Sequence, residues 1–391
     1  MPQFFAILLS LCLGLFLADA FISLTDASLV LFCGFHLFSA ISTFVSFFGV
    51  VMAVGVYVLI GLTPLVPKRL FLPIPLFYLL ATLALFPFAI YHYGRIEQFT
   101  WGAALTQVVV GLWILYRDQS GLKFRWPLVS VGQLGIRRFS WWNLSAFILI
   151  NIFVLLPAVI VYLFFCTATA VDHFSDGFMA LRPGGFTVQV RKYTRNDGKT
   201  IELFPMSHVA DAGFYQKVSQ TFPTNSIILM EGVTDNENLL TNKLSYKRMA
   251  KTLGLAEQKK EFQPTNGEMV RADVDVDEFS TNTIDFLNLV TLIHSKGVNS
   301  ETMLKLAQSS PSPEFMEQLF DDLLTKRNQH LLEEIHSHLA QSDNLMVPWG
   351  VAHMPGIAKE IQKSGFHLED TQEYEVIRFH GIGNHVKDAK Q

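Results

Sequence analysis

Two histidines in this chain follow the same local pattern. His208 comes after the apolar run 203–206 and His353 after the apolar run 346–349, and in both cases a helix is expected to begin at the histidine. Ligand sites in open α/β sheets gather at the carboxyl ends of the strands. We therefore expect the two imidazoles to meet in one crevice, with Glu231 arriving at the end of a third strand.

Two imidazoles and one carboxylate support two kinds of chemistry. The set can hold a divalent metal with coordination positions left open, and Zn, Mn, Fe or Co would all suit these ligands. Such a metal lowers the pKa of its bound water and polarises a carbonyl group. Without a metal, one histidine can act as a general base on water while Glu231 orients that water. Taken alone, the pattern at His353 equally fits a histidine that only caps a helix or fills a core.

Arg327 interrupts an apolar stripe in the long helix expected over 313–339. The stripe residues recur at intervals of four: Leu319, Leu323, Leu331, Ile335 and Leu339. This face should lie in the core, where a guanidinium needs a partner because an unpaired buried charge is very costly. One alternative is an ion pair with Asp273 or Asp275, which are also additional site candidates if they share one strand face. The other is a role in the site, where Arg327 polarises a substrate carbonyl or binds a substrate carboxylate.

The elements around these residues are predicted to form an α/β domain with a mixed sheet. The turn Asn196-Asp197-Gly198 between the strands 187–193 and 200–204 predicts a hairpin. Asp211 is expected to cap a helix that starts at Ala212. The expected elements beyond it are strands at 226–230 and 345–347 and helices at 283–294, 313–339 and 356–363.

Four short motifs together resemble one known family. They are Pro205-Met-Ser-His208-Val, Leu229-Met-Glu231, Lys326-Arg327-Asn328 and Trp349-Gly350-Val-Ala-His353-Met-Pro-Gly356-Ile. In content and order these motifs resemble the TraB/PrgY/GumN family, whose animal relatives include the Tiki proteins. The resemblance covers about residues 187–377 and does not extend to the N-terminal half. The family usually has glycine three residues before its first motif histidine, where this chain has Pro205.

The resemblance implies a fold related to erythromycin esterase and to the ChaN haem-binding proteins. For some members it implies metal-dependent peptidase activity on secreted or membrane-associated peptides, and other members are implicated in shutting down peptide pheromones. The family's two motif histidines fall on His208 and His353, its acidic residue on Glu231, and its Arg-Asn pair on Arg327 and Asn328.

These observations predict a membrane-anchored, metal-dependent hydrolase that acts as a peptidase. His208, His353 and Glu231 would hold the divalent metal, and Glu231, Arg327 and Asn328 would act in catalysis. Two alternatives stay open. One is a protein that binds or sequesters a peptide or a haem-like small molecule, and the other is a metal-free, esterase-like hydrolase.

The N-terminal half is too apolar for a soluble domain. Of the 391 residues, 50% are hydrophobic and only 16% are charged. A spanning helix needs about 20 apolar residues. The apolar stretches predict about five spans, at 4–24, 38–62, 70–93, 99–116 and 144–170. We therefore expect a multi-pass α-helical membrane region, 1–175, followed by a TraB/Tiki-like α/β domain, 176–391.

Basic residues predict the orientation of these spans. They concentrate in the loops after the second and fourth spans: Lys68, Arg69, Arg117, Lys123, Arg125, Arg137 and Arg138. Because Lys and Arg favour cytoplasmic loops, the domain 176–391 should face the periplasmic or extracellular side. Its expected partners are the membrane and a peptide or small-molecule substrate. The excess of Asp and Glu over Lys and Arg in this half gives no reason to expect a nucleic acid.

Three ionisable residues fall within or beside the predicted spans. They are Asp19, His36 and His92. An ionisable side chain inside a membrane can mark a transport path. Because these three are sparse and are expected to be unpaired, the sequence favours an anchoring role for the N-terminal half over transport.

Overall fold

The computed structural model of the chain describes residues 2–119, 121–122, 124–136, 139–241, 246–296 and 313–379. The chain divides into two compact units, Met1–Cys166 and Thr167–Gln391. The first is helical, and the second combines a mixed β-sheet with helices. This confirms the predicted order of a helical N-terminal part and an α/β C-terminal domain.

Apolar helices follow one another along the first part of the chain. Their bounds are α1 Pro2–Cys33, α2 Ser39–Leu62, α3 Lys68–Phe71, α4 Pro73–His92, α5 Ile96–Gln119, α6 Trp141–Ile150 and α7 Leu156–Phe174. A π-helical turn, Asn151–Leu155, joins α6 to α7. Within the described residues, four helical segments are long and apolar enough to cross a membrane: Pro2–Cys33, Ser39–Leu62, Lys68–Gln119 and Trp141–Phe174.

The third of these segments folds back on itself. A 3-10 turn, Tyr93–Arg95, separates α4 from α5, and the rings of Phe88 and Phe99 lie 4.8 Å apart across it. Farther along, Gln107 Nε2 lies 3.5 Å from Tyr78 Oη although 29 residues separate the two. In one straight helix they would be roughly 40 Å apart. The helices α4 and α5 therefore pack as an antiparallel pair.

The first helix is longer than the predicted span 4–24. The helix α1 continues to Cys33. Asp26 explains the difference, because its Oδ1 accepts hydrogen bonds from the backbone N–H groups of Leu37 and Phe38 at 3.0 and 2.7 Å. Its Oδ2 lies 3.0 Å from His36 Nδ1. One carboxylate of α1 thus satisfies N–H groups at the start of α2 and holds the turn close to α1.

A seven-stranded mixed sheet forms the centre of the C-terminal domain. Its strands are β1 Met179–Arg182, β2 Gly185–Thr194, β3 Thr200–Met206, β5 Ile227–Met230, β7 Glu268–Arg271, β8 Asn344–Gly350 and β9 His367–Arg378, while β4 Val209–Ala210 and β6 Ala256–Glu257 pair separately. The order is β1-β2-β3-β8-β5-β7, and β9 pairs with the other edge of β2. The strand β2 is antiparallel to its neighbours, which confirms the predicted β2–β3 hairpin, whereas β3, β8, β5 and β7 run parallel.

Helices complete the C-terminal domain, and those that contact the sheet form two cores with it. Their bounds are α8 Ala212–Ser219, α9 Lys247–Leu253, α10 Gln258–Glu261, α11 Thr281–Lys296, α12 Pro313–Phe320, α13 Arg327–His338 and α14 Met354–Lys363. Successive residues of β3 enter different cores: Leu203 packs with residues of α13 and α14, and Phe204 packs with residues of α8. The helix α8 starts at Ala212 with Asp211 at its N-cap position, as predicted, but the Asp211 side chain does not bond to the helix, because its Oδ2 accepts a hydrogen bond from the backbone N–H of Arg378 at 2.9 Å.

Candidate functional site

The carboxyl ends of the four parallel strands lie at one edge of the sheet, and a polar side chain follows each of them. His208 follows β3, His353 follows β8, Glu231 follows β5 and Asp273 follows β7. His353 Nε2 lies 3.7 Å from Glu231 Oε1. Arg327, the first residue of α13, reaches the same edge and contacts three of these four side chains.

The guanidinium of Arg327 is the centre of this cluster. Its Nε and Nη2 donate to the two oxygens of Asp273 at 2.9 and 2.7 Å. Nη2 also donates to Glu231 Oε1 at 2.8 Å, and Nη1 lies 3.2 Å from His353 Nε2. The side chain of Arg327 is 11% exposed and that of Asp273 is 0% exposed. Burial alone would lower the pKa of Arg327, but the hydrogen bonds and charge of Asp273, followed by those of Glu231, raise it.

The shape of the long helix explains why Arg327 faces inward. A stripe that repeats every four residues drifts around an α-helix, which turns once in about 3.6 residues. A wider π-helical segment, Asp321–Lys326, interrupts the predicted helix and offsets part of this drift. Stripe residues are buried on both sides of it: Leu319, Leu331, Ile335 and Leu339. Arg327 directly follows this segment, and such turns are frequent at functional sites.

Hydrogen bonding fixes the tautomer of His353. Its Nδ1 lies 2.7 Å from Asn328 Oδ1, and because an amide oxygen only accepts, Nδ1 carries the hydrogen. The lone pair is therefore on Nε2, which faces Arg327 and Glu231. Burial, and then the charge of Arg327, lower the pKa of His353 to about 4. The imidazole is neutral at physiological pH and is in the state that accepts a proton.

Two glycines bring the amide and the carboxylate into place. A Cβ atom at Gly356 would lie 2.7 Å from Asn328 Nδ2, so the glycine gives Asn328 the space to reach His353. The backbone N–H of Gly350 donates to Glu231 Oε2 at 2.6 Å. Glu231 is thus held between a backbone donor on one oxygen and Arg327 on the other.

His208 lies at the exposed side of this edge. Its ring stacks on that of Tyr246, with the centroids 4.7 Å apart and an angle of 18° between the planes. Burial, and then the charge of Glu231, raise the pKa of Tyr246, so this phenol also borders the site. Tyr246 is not among the residues predicted for the site, because a single tyrosine in a polar stretch carries no pattern that marks it.

Asp275 is not part of this cluster and instead stabilises a neighbouring turn. Its Oδ2 accepts a hydrogen bond from Thr234 Oγ1 at 2.5 Å, and its side chain caps the 3-10 turn Val276–Glu278. The strand β7 ends at Arg271, so the face on which Asp273 and Asp275 would lie together is not formed. Of the two carboxylates predicted as alternatives, Asp273 is the one that pairs with Arg327.

The predicted metal ligands are arranged differently from a three-ligand metal centre. His353 Nε2 and Glu231 Oε1 lie 3.7 Å apart, and both contact the Arg327 guanidinium. Among the described residues, no three His, Cys, Asp or Glu side chains are grouped so as to hold a metal ion. A metal bound to His353 and Glu231 would require the guanidinium to move away. In this arrangement His353 Nε2 and Glu231 Oε1 are both engaged by Arg327.

Comparisons with known proteins identify no relative of this chain. No family model, curated protein or solved structure matches this chain. The resemblance to the TraB/PrgY/GumN family therefore stays a prediction. The described residues provide a buried, neutral imidazole bordered by a carboxylate, a guanidinium and an amide. Any proposal about function must therefore be based on the chemistry of these four groups.

The lowered pKa of His353 predicts that the C-terminal domain loses stability in mild acid. The pKa of His353 is 6.5 in the unfolded chain and about 4 in the folded chain. Between these two pH values, His353 binds a proton in the unfolded chain but not in the folded chain. The stability that is present above pH 6.5 is therefore lost as the pH falls toward 4, by roughly 3 kcal/mol. Denaturant unfolding of the full chain at several pH values would measure this loss. His353→Gln should reduce the pH dependence, whereas His336→Gln, at an exposed position of α13, should leave it unchanged. An identical pH profile in His353→Gln would contradict the assignment.

Proposed function

We propose that the C-terminal domain is a hydrolase that cleaves a peptide, with His353 as the general base. The observation that supports this is the neutral imidazole, whose tautomer Asn328 sets and whose Nε2 lone pair borders Glu231 and Arg327. A general base needs its lone pair within hydrogen-bond reach of the proton that it removes. A preorganised guanidinium suits the negative charge that develops on the carbonyl oxygen.

In the proposed reaction, the contact between Arg327 Nη1 and His353 Nε2 opens. A water molecule then binds to Nε2, and the substrate carbonyl binds to Arg327. Nε2 removes a proton from the water while the water oxygen bonds to the carbonyl carbon. Glu231 accepts a hydrogen bond from the same water and orients it, and Arg327, held by Asp273, donates to the oxyanion. When the C–N bond breaks, the proton on Nε2 passes to the leaving nitrogen, and His353 returns to its neutral state.

We further propose that the apolar helical segments anchor this domain on the non-cytoplasmic side of a membrane. The support is the positions of the basic residues, which favour cytoplasmic loops. Lys68 and Arg69 lie in α3, and Arg117 lies at the end of α5. Lys123, Arg137 and Arg138 of the predicted basic loop lie outside the described residues. The substrate would then be an extracytoplasmic peptide.

A library of membrane-impermeant peptides tests both proposals. Intact cells that produce the full chain should hydrolyse some of its members, and cells that produce the same amount of His353→Gln should not. Hydrolysis that begins only after the cells are permeabilised would place the domain inside. If purified full-length protein hydrolysed no member, the proposed activity would be wrong.

A chelator distinguishes the two chemistries at this site. If the side chains suffice, chelation should leave the rate of hydrolysis unchanged, because His353 is the base and Arg327 the electrophilic group. Loss of activity on chelation, with recovery on addition of Zn, Mn, Fe or Co, would instead support the predicted metal site of His208, His353 and Glu231. Metal affinity would in that case fall at low pH as the histidines protonate.

A further inference from the structure

A buried carboxylate lies near the middle of α1 in the helical unit. Asp19 is 2% exposed, and side chains from three other helices reach it. Tyr78 Oη and Gln107 Nε2 donate to Asp19 Oδ2 at 2.9 and 2.8 Å, and Ser46 Oγ donates to Oδ1. The helices α1, α2, α4 and α5 thus meet at one carboxylate. The expectation that Asp19 is unpaired is therefore wrong.

The partners of Asp19 are hydrogen-bond donors without a formal charge. Among the described residues, no Lys, Arg or His donates to it. Of the described side chains that donate to it, Tyr78 of α4 is the one titratable group, and Cys12 of α1 in turn lies near Tyr78. The helix α2 contributes Ser46 and α5 contributes Gln107. An ionised carboxylate without a countercharge is costly in apolar surroundings, and taking up a proton removes that cost.

A glycine provides the space for this arrangement. A Cβ atom at Gly49 of α2 would clash with Tyr78 Oη, and Asp19 Oδ2 lies 3.9 Å from the same position. A larger residue at this point would push the phenol away from the carboxylate. The hydrogen bond between Tyr78 and Asp19 therefore depends on glycine at this position of α2.

Polar groups continue from Asp19 toward only one end of α1. Ser23 Oγ lies 3.3 Å from Asp19 Oδ1 and 2.9 Å from Ser42 Oγ. One turn farther, Asp26 contacts His36, whose side chain is 61% exposed. Toward the other end, the buried face of α1 is mainly apolar, with Leu9, Leu13, Phe16 and Leu17 in the core. Polar side chains thus lie between Asp19 and the exposed His36, whereas the buried face of α1 on the other side of Asp19 is mainly apolar.

We propose that Asp19 is a proton-binding site of the helical unit and exchanges its proton with solvent at the His36 end. An ionised Asp19 accepts hydrogen bonds from Ser46, Tyr78 and Gln107. When protonated, it must donate one, so at least one of the hydroxyl groups has to turn and become the acceptor. Because these groups belong to different helices, proton binding changes the contacts of α1 with its neighbours. The helical unit then does more than anchor the chain.

A hydrophobic carbodiimide tests this proposal, because it modifies a carboxyl group in the protonated form and reaches it from the apolar phase. The full-length protein in lipid vesicles would be treated over a range of pH, and mass spectrometry would locate the modified residue. We expect modification at Asp19 that slows by about tenfold or more when the pH rises by two units. Asp19→Asn should remove that modification.

A second variant separates proton binding from simple packing. Tyr78→Phe removes a donor that favours the ionised carboxylate, so modification of Asp19 should persist to a pH higher by about one unit. Tyr57→Phe is the matched control, because it removes a phenol hydroxyl of the same unit that donates to Asn151 and does not contact Asp19. Asp19 that stays unmodified from about pH 5 to 9, or equal profiles in Tyr78→Phe and wild type, would overturn the proposal.

Discussion

Replacing Arg327 with methionine is expected to destabilise the C-terminal domain by about 3–5 kcal/mol, as when one partner of a buried ion pair is removed. Methionine retains much of the side-chain volume but removes the charge. Asp273 and Glu231, whose side chains are 0% and 11% exposed, would lose their shared cation in a place that water barely reaches. Hydrogen exchange of the backbone amides in β5 and β8 of the full-length protein would measure the loss.

Two further variants show whether the loss of stability comes from the buried ion pair. Arg378→Met makes the same change at an exposed pair with Glu375, where the side chains are 66% and 60% exposed, and should cost less than about 1 kcal/mol. The double variant Arg327→Met/Asp273→Asn should recover much of the lost stability, because it leaves less uncompensated charge. Wild-type stability in the single variant would show that the ion pair contributes little. A stable double variant without activity would place Arg327 in the reaction as well as in the fold.

His353→Gln should lower the rate of hydrolysis per folded molecule by about 10²–10⁴-fold, the usual contribution of a general base. At neutral pH the domain should fold nearly normally, because the imidazole that is replaced is uncharged. The measurement is kcat/KM on a peptide that the library identifies, corrected for the folded fraction. Turnover equal to wild type would make His353 a structural residue and would remove it from the mechanism.

Asn328 offers a finer test of the same assignment. Asn328→Asp supplies a charged acceptor to His353 Nδ1, which should raise the pKa of the imidazole and move the acid limb of the pH–rate profile to higher pH. Asn328→Leu removes the acceptor and should lower the rate, because the tautomer is no longer fixed. If Asn328 only fills space, Asn328→Asp would leave the pH profile where it is in the wild type.

Local signals made part of the C-terminal fold predictable. The turn Asn196-Asp197-Gly198 sets the β2–β3 hairpin, and compact apolar runs mark β5 and β8. The strand β9 was missed, because among its 12 residues only Tyr374 and Val376 are buried and most of the others are polar. Its role depends on a partner far away in the chain, which no local pattern contains.

The site was predictable where a residue breaks a pattern. Arg327 fills a gap in an apolar stripe, and Glu231 and His353 follow strands whose ends meet at one edge of the sheet. The remaining contacts depend on backbone geometry. The N–H group that Gly350 donates, the space at Gly356 and the π-helical segment before Arg327 follow from how the chain packs, and residue type alone does not indicate them.

The polar centre of the helical unit was misread for a related reason. Ser46, Tyr78 and Gln107 lie 27, 59 and 88 residues from Asp19. They carry no formal charge, so in a hydrophobic stretch they do not appear as partners of a carboxylate. Their convergence becomes visible only when α4 and α5 fold back and bring Tyr78 and Gln107 to the same side of α1.

The pairing of β2 with β9 also determines how late in synthesis of the chain the sheet can be completed. Val188 of β2 pairs with Tyr374 of β9, and Thr200 of β3 pairs with Asn344 of β8. The strands β2 and β3 are therefore synthesised well before these partner strands. At roughly 5–20 residues per second, a ribosome needs about 10–40 s to cover that distance. During this interval the β2–β3 hairpin has unpaired edges, which invite association with other chains. A cell that makes this protein must therefore shield the nascent hairpin until nearly the whole domain has been synthesised.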